Sequence, residues 1–478
     1  MAIPAKTRIA AALSTILLLA GCAVGPNYVR PDSTLPEQHK EAGSESAAPA
    51  SINPEWWTLF NDATLNRLVE QALAANQDLQ AAIARLEASE AAAREAGAEL
   101  YPSIDLGANS SRNRSSGETA SGRMSGPQTY NNRRAAVSLS YEVDLWGRIQ
   151  RSNEAARAEA LASRFGRDSI RLTLIGQLTN EYLNLRSNEA KLEVTRQTLE
   201  TRQESLKIVQ ARVDGGTASG LELAQAESAL SAAEGQLGQI KRLRALSENQ
   251  LGLLTGQPGL KVASAGLEQL PLPPTPPTGL PSALLEARPD VRQAEEKLIA
   301  ANARIGVAKA AYFPSIGLTG VYGSESMALS SLFTGPAGIW SAAIGLTMPI
   351  FDAGRTEARV DQATALQQEN LANYRKTVQT AFREVSDAIV NLHEFANEEA
   401  AFAAQMAASK RALDLAQKRY ASGYSGFIDV LETQRSLNAA QLLYLSSRQN
   451  RLGAAVDLFK ALGGGWQTTA ETATPAIN

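Results

Sequence analysis

The feature that most constrains this chain is a seven-residue apolar spacing that runs down two long arms and then occurs a second time. Adding 207 to the positions of the first set gives the second set, and even its polar member Arg244 returns as Arg451. A constant offset over more than 100 residues indicates an internal duplication. The first set is Leu178, Leu185, Leu192, Leu199, Leu206 and Val213, then Leu223, Leu230, Leu237, Arg244 and Leu251.

This spacing predicts two long helical hairpins, over 147–256 and 355–462. A heptad seam commits a helix to coiled-coil packing. No proline occurs from Trp146 to Arg212, so the first arm would be about 100 Å long at 1.5 Å per residue. Gly216 and Gly423 lie at the two turns, where a glycine allows the positive φ that ends a helix. On this evidence alone, a coiled-coil stalk or spectrin-like bundle stays open.

The first 21 residues are typical of a secretion signal. Lys6 and Arg8 precede an apolar run over 9–20 that is too short to span a bilayer. The run ends Leu-Ala-Gly-Cys, which resembles a bacterial lipobox, and Cys22 is the only cysteine of the chain. Ala23 follows it, rather than the aspartate of an inner-membrane retention signal. The sequence therefore predicts a lipid attached to Cys22, an outer-membrane location and an extended tether over 22–56.

Composition excludes several functions. A net charge of −3 argues against a nucleic-acid partner. One cysteine and two distant histidines do not make a zinc site, and no catalytic constellation or phosphate-binding loop is visible. We therefore expect no enzyme, no metal and no cofactor. After the signal, no helical stretch of 18 apolar residues occurs, so any membrane crossing must use strands.

Two segments, 103–144 and 315–349, alternate apolar and polar residues with the period of a strand. We predict a β-hairpin in each, with loops over 112–134 and 324–338. Each strand would have about 9–11 residues, which is the length of a tilted transmembrane strand. A soluble sheet with one wet face is the alternative. Four strands cannot close on themselves in lipid, so closure requires several chains, and the residues alone allow two or three.

These segments define a domain organisation. The first repeat covers 57–256, a proline-rich linker covers 257–281, the second repeat covers 282–466, and a polar tail covers 467–478. The predicted fold class is an α+β membrane protein with two internal repeats.

Several short motifs, in this order along the chain, resemble the outer-membrane factors of Gram-negative tripartite efflux systems. The resemblance is to their lipoprotein branch, which serves resistance-nodulation-division pumps. The motifs are the lipobox with Gly25-Pro26-Asn27-Tyr28-Val29-Arg30-Pro31, then Leu284-Leu285-Glu286-Ala287-Arg288-Pro289-Asp290, Ala311-Tyr312-Phe313-Pro314-Ser315-Ile316, Pro349-Ile350-Phe351-Asp352-Ala353-Gly354, and Lys460-Ala461-Leu462-Gly463-Gly464-Gly465-Trp466.

The resemblance implies a homotrimer. Its twelve strands would form an outer-membrane β-barrel continuous with a long periplasmic α-helical coiled-coil barrel. Such a protein is the exit duct of an efflux pump and passively conducts drugs or other small molecules. Its implied partners are a periplasmic adaptor (membrane fusion) protein, an inner-membrane resistance-nodulation-division pump and outer-membrane lipid.

The resemblance also assigns site residues, at the second hairpin turn. Asp429 and Glu432 match carboxylates that form constricting rings, Tyr420 matches a tyrosine that holds neighbouring hairpins closed, and Glu222 is the first-hairpin equivalent of Asp429. Three-fold symmetry would bring like charges together. The family's basic tethering residue is here Ser425. The alternative for Asp429 is a carboxylate that only stabilises a helix N-terminus.

The adaptor would dock at the turns containing Gly216 and Gly423. Three alternatives remain at this point. A type I protein-secretion channel is one, and a lipid-anchored coiled-coil scaffold is another. A metal-ion exporter is the third, but five methionines without a cluster in the mature chain offer no thioether path for copper or silver.

Overall fold

The structure, a computed structural model, describes residues 23–32, 36, 53–263, 265–276 and 288–465. The predicted signal, Cys22, Trp466 and the predicted tail lie outside the described residues. In the first repeat the elements are α1 (Ala63–Ala75), α2 (Gln77–Ala98), β1 (Ser103–Arg114), the short α3 (Ala120–Ser125), β2 (Thr129–Val143), α4 (Arg148–Asp214) and α5 (Gly220–Leu254). In the second they are α6 (Pro289–Ala310), β3 (Ser315–Ser326), β4 (Gly338–Thr347), α7 (Arg355–Ala421) and α8 (Phe427–Ala461).

The bounds of these elements repeat as the sequence does. Helices α4 and α7 have 67 residues each, α5 and α8 have 35 each, and all four bounds differ by 207. Helix α6 and strand β3 begin and end 212 residues after α2 and β1. The prediction of two internal repeats is confirmed, because elements of equal length occupy equivalent positions.

The strands form one antiparallel sheet of four, in the order β1-β2-β3-β4. Its register puts the predicted apolar alternation on one face. Leu106 lies opposite Val137, which lies opposite Tyr322, which lies opposite Trp340. This face is exposed, with Leu106 at 80 % and Trp340 at 79 %.

The predicted hairpin loops were too long. Strand β1 continues to Arg114, β2 begins at Thr129 and has 15 residues, and β3 continues to Ser326. The polar residues at these ends do not alternate with apolar ones, but the strand pairing still extends to Arg114 opposite Thr129. Backbone pairing needs no apolar side chain, so the hydrophobic pattern did not reveal the strand ends.

The chain divides into two compact units. Among the described residues, the first contains the sheet and consists of 23–31, Leu86–Ser163 and Ala294–Tyr374. In it, residues 23–31 of the predicted tether are held by specific contacts. The Val24 N–H donates to the Trp146 carbonyl at 3.0 Å. The Arg30 guanidinium donates to both oxygens of the buried Glu295, at 2.6 and 3.0 Å.

The second unit consists of the described residues within 32–85, 164–293 and 375–465, and it holds an apolar core. Trp56 is fully buried and stacks on Phe459 with ring centroids 5.4 Å apart. The predicted tether therefore extended too far, because Trp56 belongs to a 3₁₀ turn, Trp56–Phe60, inside the core. Leu267 and Leu270, in the predicted linker, are also buried in this core.

A polar network lies beside this core. The Tyr182 hydroxyl donates to Asp62 Oδ2 at 2.6 Å, and Arg186 lies 3.5 Å from the same oxygen. Burial opposes the ionisation of Asp62. The hydrogen bonds from Tyr182 and from the backbone N–H groups of Leu65 and Thr64 outweigh it, and they hold the pKa of Asp62 below its usual value.

Among the residues that the structure describes, no helix is both long enough and apolar enough to cross a membrane.

Candidate functional site at the hairpin tips

The two turns that contain Gly216 and Gly423 have the same backbone geometry. In the first, the Gly216 N–H donates to the Val213 carbonyl at 2.9 Å and the Thr217 N–H donates to the Arg212 carbonyl at 2.8 Å. The second turn repeats both bonds 207 residues later, at 3.0 and 2.9 Å. This is a Schellman motif, which needs a left-handed residue at the helix end. Gly216 and Gly423 meet that need with φ angles of +72° and +75°. An added Cβ at either position would meet no atom within 4 Å, so the backbone conformation, and not a lack of space, favours glycine here.

The second arms begin differently in the two hairpins. Helix α5 is capped by Ser219, whose side chain accepts a hydrogen bond from the Glu222 N–H at 3.3 Å. Helix α8 follows Gly426, which supplies no side-chain cap. Glu222 and Asp429 occupy equivalent positions in the first turns of these helices. Both carboxylates are therefore placed to stabilise a helix N-terminus, as the simpler interpretation of Asp429 requires.

Tyr420 links the ends of two helices, α7 and α4. The Arg212 guanidinium donates to the Tyr420 hydroxyl, and its central carbon lies 5.0 Å from the centroid of the tyrosine ring. The ring also packs against Phe427, with centroids 5.5 Å apart. Tyr420 thus makes a charge-assisted hydrogen bond and a cation–π contact to the first hairpin, and an aromatic contact within its own hairpin.

An apolar cluster supports this link. Its buried members come from all four long helices, so it joins one hairpin to the other. The buried members are Val209, Ala226, Ala416, Phe427, Val430 and Leu431.

The structure does not bring the predicted carboxylates to Tyr420. Asp429 is exposed, and Glu432, 56 % exposed at its side chain, pairs with Arg435 at 3.2 Å. Glu222 has one buried carboxylate oxygen, Oε2, for which the described residues supply no hydrogen-bond partner. The Ser425 hydroxyl is likewise buried, and the described residues supply no hydrogen-bond partner for it. Within one chain, the described part brings together Tyr420 and Arg212 but not Asp429, Glu432 and Glu222.

A groove of about 770 Å³ lies between α4, α5 and α8 near these turns. Its lining includes Arg202, Glu432 and Arg435. Arg202 is buried and donates to the side-chain oxygen of Gln434. Burial lowers the pKa of Arg202, the neighbouring Arg435 lowers it further, and Glu432 opposes both effects.

Sequence reasoning did not identify Arg212 and Arg202. One sequence feature could have pointed to Arg212: it and Arg419 are basic residues 207 apart, in the last turns of α4 and α7. No such feature pointed to Arg202, because its equivalent in the second repeat is Ser409. Within the described ranges, no group of three or more histidine, cysteine or acidic side chains is arranged to hold a metal ion.

Comparison with known proteins shows one family over most of the chain. Residues 68–257 and 280–464 match the family described as "Outer membrane efflux protein". The two matched ranges correspond to the two sequence repeats.

Curated relatives and solved structures match at full length. The toluene efflux pump outer membrane protein TtgF of Pseudomonas putida is 35 % identical over 471 residues, which cover 96 % of this chain and 97 % of that protein. The outer membrane protein OprJ of Pseudomonas aeruginosa is 35 % identical over 459 residues and 95 % of each chain. The crystal structure of the Campylobacter jejuni CmeC outer membrane channel, 28 % identical, superposes with a TM-score of 0.87 over 93 % of this chain and 96 % of that one.

Proposed function

This chain belongs to the outer membrane efflux protein family and is the outer-membrane channel of a tripartite efflux pump, and we propose that it works as a trimeric exit duct. Three copies would supply twelve strands, and the duct would passively conduct drugs or other small molecules. The members of this family are efflux channels, and the chain is accordingly not an enzyme.

The observation that carries an assembly of several copies is the sheet, and the resemblance implies that the copies are three. Its apolar face is exposed, and in one chain its outer strands β1 and β4 each have one neighbour. An apolar surface of this kind calls for a lipid or protein partner. Open strand edges cannot remain in lipid, because their backbone groups would have no hydrogen-bond partner. Further copies of the same chain would cover the edges, and outer-membrane lipid would cover the face.

We propose a gate at the hairpin tips. Tyr420 would hold the two hairpins of a chain together through Arg212, and the contact between their side chains supports this role. Asp429 and Glu432 of three copies would form acidic rings, with Glu222 as the first-hairpin counterpart of Asp429. Asp429 and Glu432 are both exposed, so burial keeps neither carboxylate from facing a channel axis. Such rings would favour cations and would be sensitive to salt.

The remaining partners follow from the same proposal. A periplasmic adaptor would dock at the turns of Gly216 and Gly423 and open them. An inner-membrane resistance-nodulation-division pump would supply the drive. A lipid on Cys22 would anchor the chain to the outer membrane, with the helical hairpins on the periplasmic side.

The test is the conductance of the purified protein in planar bilayers. We expect a small, cation-preferring current from the wild type, and a larger and less selective one from the double variant Asp429→Ala, Glu432→Ala. The matched control is Glu227→Ala, Glu234→Ala, which removes two exposed carboxylates from the first half of α5 and should leave both properties unchanged.

Absence of any pore from correctly assembled trimers would refute the duct. A pore whose conductance and selectivity respond equally to both double variants would refute the acidic gate but not the duct.

A further inference from the structure

The two hairpins of the sheet follow the offsets of the sequence repeat residue by residue. In the first hairpin, Ser103 lies opposite Ser140. Moving the first residue by 212 and the second by 207 gives Ser315 opposite Thr347, which is the register observed between β3 and β4. The two offsets therefore carry strand register, as well as sequence, from one repeat to the other.

The junction between the hairpins can be carried over in the same way. There the second strand of one hairpin, β2, pairs with the first strand of the next, β3. Val143 lies opposite Ile316, Ser140 opposite Thr319, and Ser138 opposite Val321.

Applying the offsets to this junction gives a pairing between β4 and β1. Because the sheet order puts β1 and β4 at opposite edges, about 14 Å apart at 4.8 Å per strand, this β1 must come from another copy. We propose that β4 of one copy pairs with β1 of the next in one antiparallel register, in which Thr347 lies opposite Gly107 and Gly345 opposite Asn109. Continued three residues past the end of β4, the same register sets Ile350 opposite Ile104. The inference rests on the proposed trimer and specifies how its subunits meet.

Side-chain exposure supports this interface. Ile350 and Ile104 are 89 % and 67 % exposed. Their equivalents Val143 and Ile316 face each other inside the sheet and are half-buried. The same two positions of the repeat are thus covered where a neighbouring strand exists and uncovered where the chain supplies none. A second copy in the proposed register would cover Ile350 and Ile104 in the same manner.

The chemistry of the facing residues also supports it. The register puts Met348 opposite Leu106 and keeps every apolar residue on the apolar face. A slip by one residue would move the whole set to the other face, with Asp105 among apolar neighbours. A slip by two would keep the faces, so the offsets of the repeat are what select the proposed register, in which 107–114 of β1 meets 340–347 of β4. The far end then sets the Arg114 guanidinium beside the exposed Trp340 ring, a favourable cation–π pairing.

The test is disulfide formation between strands of different copies. Cysteines placed directly opposite each other in neighbouring strands reach bonding distance, whereas diagonal neighbours two residues away do not without backbone movement. The full-length protein has Cys22 as its only native cysteine, and each single-cysteine variant controls for links through it. An added Cβ at Gly107 meets nothing within 4 Å, so the position accepts a side chain.

Two pairs are predicted to link, Thr347→Cys with Gly107→Cys and Gly345→Cys with Asn109→Cys. Mild oxidation of the outer-membrane protein should convert the single-chain band into bands of two and three chains, and a reducing agent should reverse it. The shifted pairs Thr347→Cys with Asp105→Cys and Thr347→Cys with Asn109→Cys lie on the same face of the sheet and should stay single chains.

The mass of each variant in detergent distinguishes a wrong strand register from a wrong oligomeric state. Trimers in which a shifted pair links, or in which neither predicted pair links, would overturn the register and leave the duct intact. Variants and wild type that run as single chains would overturn the trimer itself. Because the two predicted pairs share no residue, a folding defect in one leaves the other as the test.

Discussion

Removal of the Tyr420 hydroxyl should loosen the link between the two hairpin tips. In Tyr420→Phe the ring keeps its contact with Phe427 and stays under the Arg212 guanidinium, and only the acceptor of the Arg212 hydrogen bond is lost. A hydrogen bond to a charged group contributes about 1.5–3 kcal/mol, and the lower end applies because both residues are half-buried.

If the link exists only when the tips are closed, its loss raises the ratio of open to closed channels by the same free energy. About 1.5 kcal/mol corresponds to about a tenfold change. The measurement is the open probability of single channels in planar bilayers, supported by the vancomycin susceptibility of cells that depend on the variant. Tyr424→Phe is the control, because Tyr424 lies in the same turn but is 79 % exposed.

A double-mutant cycle makes the reasoning refutable. Arg212→Met removes the donor and retains a long side chain, so Tyr420→Phe should change the open probability by less than about twofold in that background. Additive effects of the two substitutions would show that the hydroxyl acts through something other than Arg212. A Tyr420→Phe channel with the open probability of the wild type would refute the link altogether.

Three further predictions concern the turns, the core and the anchor. Gly423→Ala should destabilise the protein by about 1–2 kcal/mol, because its φ of +75° strains any residue with a Cβ, whereas Gly235→Ala inside α5 should stabilise it by about 0.5–1 kcal/mol. Chemical unfolding compares the two, and equal effects would contradict the role of φ. Since the pKa of Asp62 is held below its usual value, its ionisation stabilises the fold above about pH 4, and this contribution disappears as the pH falls through the lowered pKa. The melting temperature of Asp62→Asn should therefore lie below that of the wild type at neutral pH and approach it in acid; a constant difference would exclude ionisation as the cause. Cys22→Ala should abolish incorporation of labelled palmitate in cells, and retained label would place the lipid elsewhere.

The hairpin tips illustrate how far a resemblance reaches. It pointed to Tyr420 as a link between hairpins, but Ser425 stands where the family has a basic partner. The structure supplies a basic partner from the other hairpin, Arg212, 208 residues earlier in the chain. The packing of two helix ends against each other decides which arginine contacts a tyrosine. A local sequence pattern does not contain that information.

The sequence by itself determined the repeated architecture. Heptads and turn glycines specify where a long helix runs and ends, because helix periodicity and the left-handed φ of glycine are local properties. The alternation in 103–144 and 315–349 specified the two faces of the sheet for the same reason.

Only the tertiary structure decided what depends on distant partners. The polar ends of β1 and β2 become strand because the opposite backbone is there to pair with. Trp56 becomes core, rather than tether, because Phe459 from the far end of the chain stacks on it. The same holds for the sheet edges, where one chain supplies strands β1 and β4 but not their outer neighbours. Hydrogen bonds and burial between elements are properties of their arrangement, and residues hundreds of positions apart acquire them only when the chain folds.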